Sequence, residues 1–293
     1  MAENAAAQGS GSEYNFKLYR YSPSLPAAVV SLVVFGILTG LHSLRLLRAR
    51  AFYFLSFTIG GLFQTIGYGG RIWSHYDDLA IGGFVMQAIL ILIAPALYAA
   101  SIYMILSRLV RTVGGEHLCL VPVRWLTRAF VIGDIISFSL QAGGGGIQSG
   151  GTLQLYQTGE KIIVAGLICQ ILVFGFFVTT SALFHRRLIQ SPTAKSRSNS
   201  IPWRRHLYVL YITSGLILVR SVFRVVEYLQ GNDGYLISHE IFLYVFDTML
   251  MALVMVIFLM YYIQDLLGSC GTKPRERLEM ANSQHYEIEG ART

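Results

Sequence analysis

Charged and amide side chains lie inside the apolar stretches of this sequence, where each of them needs a partner. A carboxylate or guanidinium group in hydrocarbon normally pairs with an opposite charge or lines a water-filled cavity. In a cavity, such groups could bind the charged or hydroxyl-bearing head group of an amphiphile whose acyl tail stays in lipid. The candidate binding residues are Asp134, Arg220, Arg224, Glu227, Glu240, Asp247, Gln64 and Gln87.

The spacing of the charges predicts two ion pairs between the last two apolar stretches. Residues 220, 224 and 227 share one helical face, as do residues 240, 244 and 247, because positions i, i+4 and i+7 align on a helix. In an antiparallel pair of helices, Arg220 falls level with Asp247 and Arg224 level with Glu240. We therefore predict the pairs Arg220–Asp247 and Arg224–Glu240.

Several of these side chains also share a depth. Counted from the outer ends of their stretches, they lie about 8 or 9 residues in, or about 12 Å at 1.5 Å per residue. The residues of this outer-half polar layer are Gln64, Gln87, Asp134, Gln170, Arg220 and Asp247. Two interpretations stay open: the charges only lock helices together, or Asp134, Arg220 and Asp247 line a hydrated cleft that holds a head group.

The composition indicates whether these residues lie in water or in a membrane. Of 293 residues, 54% are hydrophobic and 13% charged, and the mean hydropathy is +0.52. This excludes disordered, fibrous and disulfide-rich secreted proteins and indicates a polytopic membrane protein. The net charge of +7 does not point to nucleic acid, because the basic residues flank apolar segments, where they orient helices and meet anionic lipid.

The apolar stretches predict an all-α bundle of seven transmembrane helices. Each stretch is long enough to cross a hydrocarbon core of about 30 Å. Charges interrupt the fourth and sixth stretches, which makes those two the weakest. The predicted spans are residues 25–45, 51–72, 81–107, 125–142, 161–184, 207–228 and 239–264.

The distribution of basic residues predicts the orientation. Seventeen of the 23 lysines and arginines fall in the first, third and fifth connections or after the last span. Since cytoplasmic loops carry the excess of basic residues, we expect the N-terminus outside and the C-terminus in the cytoplasm. Residues 1–20 are predicted to be a disordered extracellular tail, residues 21–266 a transmembrane domain and residues 267–293 a disordered cytoplasmic tail.

Three local features of the sequence lead to further predictions. Pro95 should leave one backbone carbonyl free and kink the third span near its middle. The glycine run at residues 143–146, with Gly150 and Gly151, predicts a flexible stretch outside. Residues 190–201, rich in serine and basic residues, predict a flexible cytoplasmic loop, either a phosphorylation site or a solvated linker.

Metal and cofactor chemistry is not expected. Cys119, Cys169 and Cys270 have no spacing typical of disulfides or zinc sites. A hydrolase that uses zinc within the membrane needs clustered histidines, but His75 and His239 are the only histidines at the predicted outer ends. No residue is assigned a catalytic role, and we predict a protein that is neither an enzyme nor a metal or haem protein.

The sequence resembles the fungal RTA1-like family, also called lipid-translocating exporters, from about residue 18 to residue 264. The motifs that carry the resemblance are Tyr21-Ser-Pro-Ser-Leu-Pro26, Gly67-Tyr-Gly-Gly-Arg71, Ala94-Pro-Ala-Leu-Tyr-Ala-Ala-Ser-Ile-Tyr103, Gly115-Glu-His117, Gly133-Asp134, Gln141-Ala-Gly-Gly-Gly145, Arg220-Ser-Val-Phe-Arg-Val-Val-Glu-Tyr228, Gly231-Asn-Asp-Gly234, His239-Glu240 and Asp247.

The resemblance implies a seven-span protein for translocation or export of sphingoid long-chain bases, for resistance to toxic amphiphiles or, in one branch, for porphyrin movement. Its partners would be a lipid or amphiphilic small molecule and a membrane: the plasma membrane, or alternatively the vacuolar membrane. The ammonium of a sphingoid base would pair with Asp134, Glu227, Glu240 or Asp247. A seven-helix receptor or sensor that regulates the response to lipid stress is the alternative, and the oligomeric state is not predicted.

Overall fold

The computed structural model describes residues 24–49, 54–76, 81–148, 153–197, 202–230 and 234–261. These residues form helices and short connections, without a strand among them. The predicted tails, residues 1–20 and 267–293, lie outside the described residues. The long helices are α1 (Leu25–Ala49), α2 (Leu55–Tyr76), α3 (Ile81–Val113), α4 (Val123–Gln148), α5 (Leu153–Gln190), α6 (Trp203–Leu229) and α7 (Glu240–Met260).

Every predicted span overlaps one of these helices, and six of the seven are long and apolar enough to cross a membrane. The exception is α2, which carries Gln64, Arg71 and His75 and several glycines. The chain is therefore an all-α, polytopic membrane protein. The crossing of α2 as a seventh span stays a prediction.

The seven long helices form a closed ring, and two of them, α3 and α6, also meet across its middle. Each helix packs against the next along the chain, and α7 returns to α1. In the apolar part of α3, 61% of residues are buried inside the protein, against 28% for α4 and α5. Thus α3 is central, while α4 and α5 present much of their surface outward.

Basic residues collect at one end of the bundle, which we call the basic end. There the Arg45 guanidinium donates to the Leu259 carbonyl of α7, and the Arg205 guanidinium stacks over Tyr261. The basic residues described at this end are Arg45, Arg48, Arg108, Arg111, Arg124, Arg128, Arg186, Arg187, Lys195, Arg197, Arg204 and Arg205. These residues come from the connections that were predicted to be cytoplasmic. The side of the membrane on which the basic end lies stays a prediction.

The glycine run at residues 143–146 is helical, so the prediction of flexibility was wrong for these residues. Helix α4 continues to Gln148, and Gly144 faces Gly159 of α5. A Cβ at Gly144 would lie 2.8 Å from the Gly159 carbonyl oxygen, and 2.9 Å from the backbone nitrogen of Ile163. Small residues allow two transmembrane helices to touch through their backbones, and here the glycines serve this purpose. Gly150 and Gly151 lie outside the described residues.

The connection between α5 and α6 also differs from its predicted flexibility. Its described part, Ser191–Arg197, ends in a one-turn helix, Ala194–Arg197. The Thr193 hydroxyl donates to the Val113 carbonyl at 2.7 Å and accepts the Ser196 backbone N–H at 3.2 Å. These bonds dock the connection onto the end of α3.

Substitutions in the glycine run test the contact between α4 and α5. Gly144→Ala should lower the free energy of unfolding by about 1–3 kcal/mol, the usual penalty for overpacking, because its Cβ meets the backbone of α5. Gly145→Ala is the matched control, since a Cβ there has no atom within 4 Å. Thermal unfolding of the purified protein in detergent compares the stability of the two variants with that of the wild type. Equal destabilisation by the two substitutions would contradict the backbone contact at Gly144.

Tags at the two termini test the number of crossings. If α2 spans the membrane with the other six helices, protease protection in sealed vesicles should report the N- and C-terminal tags on opposite sides. Tags on the same side would mean an even number of crossings and would exclude α2 as a span. A tag inserted at Ser191, at the basic end, should share the side of the C-terminal tag.

Candidate functional site

Six charged side chains from three helices form two neighbouring groups of buried or partly buried ion pairs, which we together call the buried charge cluster. Its members are Arg71 of α2, Arg220, Arg224 and Glu227 of α6, and Glu240 and Asp247 of α7. Three guanidinium groups face three carboxylates, so the formal charge of the cluster is zero. Five of these six were predicted as site residues, and the sixth, Arg71, was not.

Asp247 is the centre of the buried charge cluster. One of its carboxylate oxygens accepts from Arg220 Nε and the other from Arg224 Nη2. The side chains of Arg220 and Asp247 are 2% and 0% exposed. The predicted pair Arg220–Asp247 is confirmed.

The predicted pair Arg224–Glu240 was wrong. Arg224 instead binds Glu227, one turn away on α6, at 2.9 Å, in addition to Asp247. The reason lies in α7, where Tyr244–Met249 is π-helical. A π-helical turn holds more residues than an α-helical turn, so Glu240 is rotated off the face that carries Asp247.

Glu240 faces α2 and the start of α1. Its Oε1 accepts from Arg71 Nη2 at 2.6 Å and from the Tyr244 hydroxyl at 3.2 Å. Both carboxylate oxygens lie close to the backbone N–H of Ser24, at 3.0 and 3.1 Å. The carboxylate therefore joins α1, α2 and α7 at the end opposite the basic end.

Sequence reasoning missed the role of Arg71, although a signal was present. Gln64, Tyr68 and Arg71 recur at i, i+4 and i+7 and so share a face of α2, and all three are buried. The Tyr68 hydroxyl is hydrogen-bonded to Thr248 Oγ1 of α7, and Arg71 Nε donates to the Tyr244 hydroxyl at 3.1 Å. This face of α2 is thus directed at α7.

Pro95 explains the position of Arg220. Proline has no N–H, so the carbonyl four residues earlier, that of Ile91, receives no bond from position 95. The Arg220 Nη2 donates to this carbonyl at 3.2 Å. The carbonyl that Pro95 was predicted to leave free is therefore an acceptor for the buried guanidinium, and α3 continues through Pro95.

A second polar group lies between α3, α4 and α5. The Tyr103 hydroxyl donates to Asp134 Oδ2 at 2.9 Å, and among the described residues this is the hydrogen-bond partner of Asp134. On the same face of α4 lie Thr127, bonded to Ser107 at 2.8 Å, and Gln141, which donates to Gln170 at 3.0 Å. We call the residues Thr127, Asp134, Ser137 and Gln141 the α4 polar row.

The outer-half polar layer is thus divided between two groups of helices. Asp134 and Gln170 belong with the α4 polar row, whereas Arg220 and Asp247 belong to the buried charge cluster. Gln64 is fully buried on α2, and neither of its amide atoms has a hydrogen-bond partner among the described residues. Gln87, 8% exposed, lies on α3 where its backbone nitrogen approaches Gly70 of α2.

Comparison with known proteins identifies the family. A family model described as "RTA1 like protein" matches residues 57–269. This chain belongs to the RTA1-like family. Its matched region contains the buried charge cluster and the α4 polar row. No solved structure matches the chain.

Three relatives from Saccharomyces cerevisiae show the range of the RTA1-like family. Protein RTM1 is 34% identical over 85% of this chain and 92% of its own length. Protoporphyrin uptake protein 1 is 35% identical over 85% of this chain and 93% of its own length. Sphingoid long-chain base transporter RSB1 is 26% identical over 79% of this chain and 69% of its own length. Two of these relatives are named for uptake of protoporphyrin and for transport of sphingoid long-chain bases, and none of the three is named as an enzyme. Among the described residues, no group of His, Cys, Asp or Glu is suited to a metal ion.

A double-mutant cycle tests the link between Pro95 and Arg220. Arg220→Gln should destabilise the protein strongly, partly because the buried Ile91 carbonyl loses its donor. Pro95→Ala restores a backbone N–H to this carbonyl, so it should recover about 1 kcal/mol of the loss. Chemical unfolding in detergent gives the free energies of the wild type, the two single variants and the double variant.

Arg224→Gln is the matched control for this cycle, because Arg224 binds Asp247 but has no bond to Ile91. Its effect should be additive with that of Pro95→Ala. If the effects of Arg220→Gln and Pro95→Ala were also additive within about 0.5 kcal/mol, this would contradict an interaction between the two residues through the Ile91 carbonyl.

Proposed function

We propose that this protein moves amphiphiles with a cationic head group, sphingoid long-chain bases above all, across a membrane. The relatives named for a sphingoid base and for protoporphyrin support transport of lipid-like molecules in general. The choice of a cationic head group depends on the environment of Asp134.

Asp134 differs from the other buried carboxylates in having a neutral partner. Of the buried acidic side chains in the described residues, Glu227 and Asp247 pair with arginines, whereas Asp134 binds the Tyr103 hydroxyl. A carboxylate in a low-dielectric interior is stabilised by an opposite charge nearby. The ammonium of a sphingoid base would supply this charge. The neutral partner of Asp134 is thus the observation that supports a cationic head group.

The α4 polar row provides a path for the head group. From Thr127 to Gln141 it extends over 14 residues, or about 21 Å of helix, against about 30 Å for the hydrocarbon core. Gln141 Oε1 has no hydrogen-bond partner among the described residues. The hydroxyls of a sphingoid base would bond to the row while its ammonium pairs with Asp134.

The outer face of α4 suits the tail of such a molecule. Ile132, Ile135 and Ile136 are 54%, 57% and 52% exposed and face away from the row. A head group held between α3, α4 and α5 would leave its chain beside these side chains, in lipid. This arrangement moves the polar part through the protein and never removes the tail from hydrocarbon.

We assign a supporting role to the buried charge cluster. Because its charges balance, a cationic head group gains no net attraction from it, and displacing an arginine would leave a buried charge unpaired at a cost of several kcal/mol. Arg220, Arg224, Glu227, Glu240 and Asp247 then hold α2, α6 and α7 in place. Of the predicted site residues, Asp134 is the one proposed to contact the substrate.

The membrane arrangement is part of the proposal. Helix α2 has 22 residues, or about 33 Å of length, and packs between α1 and α3, which supports its role as a seventh span. The basic end is then cytoplasmic, with the N-terminus outside and the C-terminus inside. We place the protein in the plasma membrane, with the vacuolar membrane as the alternative.

Transport of a fluorescent sphingoid base into liposomes that contain the purified protein tests the proposal. Asp134→Asn should lower the rate about tenfold, equivalent to about 1.4 kcal/mol, because the ammonium loses its counter-charge. Asp134→Glu should retain most of the rate. Glu160→Gln is the matched control, since it removes a carboxylate from α5 that has no arginine partner among the described residues and lies outside the row.

The N-acetylated form of the same base, which lacks the charge, separates charge recognition from damage to the fold. Its movement should be insensitive to Asp134→Asn. Equal losses for the two substrates would contradict a pairing between Asp134 and the ammonium. If the wild type moves neither, the receptor or sensor of lipid stress replaces the transporter.

A further inference from the structure

A groove between α5 and α6 lies at the basic end of the bundle. It has a volume of about 440 Å³ and is lined by Ala182, His185, Arg186, Ile189, Gln190 and Tyr211. This volume lies within the usual range for small-molecule sites, about 300–1,000 Å³. The groove is separate from the α4 polar row and from the buried charge cluster.

The wall of the groove is largely apolar, and its aromatic rings contact one another. The Tyr211 hydroxyl donates to the Ser181 carbonyl at 3.1 Å, and its ring stacks on His185 at 5.8 Å between centroids. His185 also meets Trp203 edge-on at 5.9 Å. With Ala182 and Ile189 on α5, these rings form a surface suited to the upper part of an acyl chain.

The mouth of the groove carries two side chains that can donate hydrogen bonds to a ligand. Arg186 and Gln190 lie one turn apart on α5, both exposed, and neither has a hydrogen-bond or ion-pair partner among the described residues. Arg187, the next residue, instead donates to the Leu118 carbonyl at 3.1 Å and is already engaged. The Arg186 guanidinium is therefore available to an anion in the groove.

The position of the groove specifies the kind of anion. It opens at the end of two membrane-crossing helices, where aromatic residues such as Trp203 and Tyr208 are typical of the boundary between hydrocarbon and head groups. Basic pockets between transmembrane helices at this level bind anionic lipid head groups. We propose that the groove is a binding site for an anionic glycerophospholipid, with its phosphate on Arg186 and Gln190 and its first acyl carbons against Tyr211 and Ile189.

Native mass spectrometry of the full chain in detergent tests this site. Dioleoyl phosphatidylglycerol should bind the wild type at least tenfold more tightly than dioleoyl phosphatidylcholine does. Arg186→Gln should remove this preference, and Arg128→Gln, which deletes another exposed charge at the same end on α4, should preserve it. Ala182→Phe, which fills the groove and retains every charge, should weaken binding of phosphatidylglycerol as much as Arg186→Gln.

Three outcomes would overturn the proposal. Equal binding of the two lipids would show that the head group is not recognised, and equal losses for Arg186→Gln and Arg128→Gln would reduce the effect to net charge. Displacement of the lipid by millimolar inorganic phosphate would make the site one for free phosphate. The measurement involves no transport, so its result is independent of the function proposed for Asp134.

Discussion

A guanidinium group buried inside a membrane protein needs both a counter-charge and acceptors for its N–H groups, and Arg220 obtains them from two neighbouring helices. Asp247 of α7 supplies the charge, and the Ile91 carbonyl of α3, which Pro95 frees, supplies an acceptor. Since α3 and α6 meet across the middle of the bundle, these bonds of Arg220 hold the two sides of the ring together. The proline on α3 and the arginine on α6 are therefore two parts of one interaction, although 125 positions separate them in the sequence.

Around this interaction the polar residues divide into two kinds. The buried charge cluster satisfies its charges internally, and networks of this type are costly to disrupt because each lost partner leaves another group unpaired. The α4 polar row is held by bonds between neutral donors and acceptors, apart from Asp134. A path for a substrate needs bonds that exchange easily, and the row meets this requirement better than the cluster does.

Particular residues show how far sequence reasoning reaches. The apolar stretches and helical spacing predict the helices and the pair Arg220–Asp247, because both depend on regular geometry. The partner of Glu240 is predicted wrongly, because the π-helical segment of α7 breaks that regularity and no spacing rule reveals it. The grouping of Asp134 with Tyr103 instead of Arg220 depends on which helices are neighbours in the ring, which depth alone does not specify.

The backbone contact between Gly144 and Gly159 has a mechanical consequence. Where the two backbones touch, a rotation of α4 against α5 would bring them into collision, so the two helices are held as a closely packed pair. Across the other side of α4, contact with α3 runs through side chains and their hydrogen bonds, such as those of Tyr103 and Ser107. Along the α4 polar row, the contact with α3 therefore depends on hydrogen bonds, which can exchange partners, whereas the contact with α5 at Gly144 depends on backbone packing, which cannot.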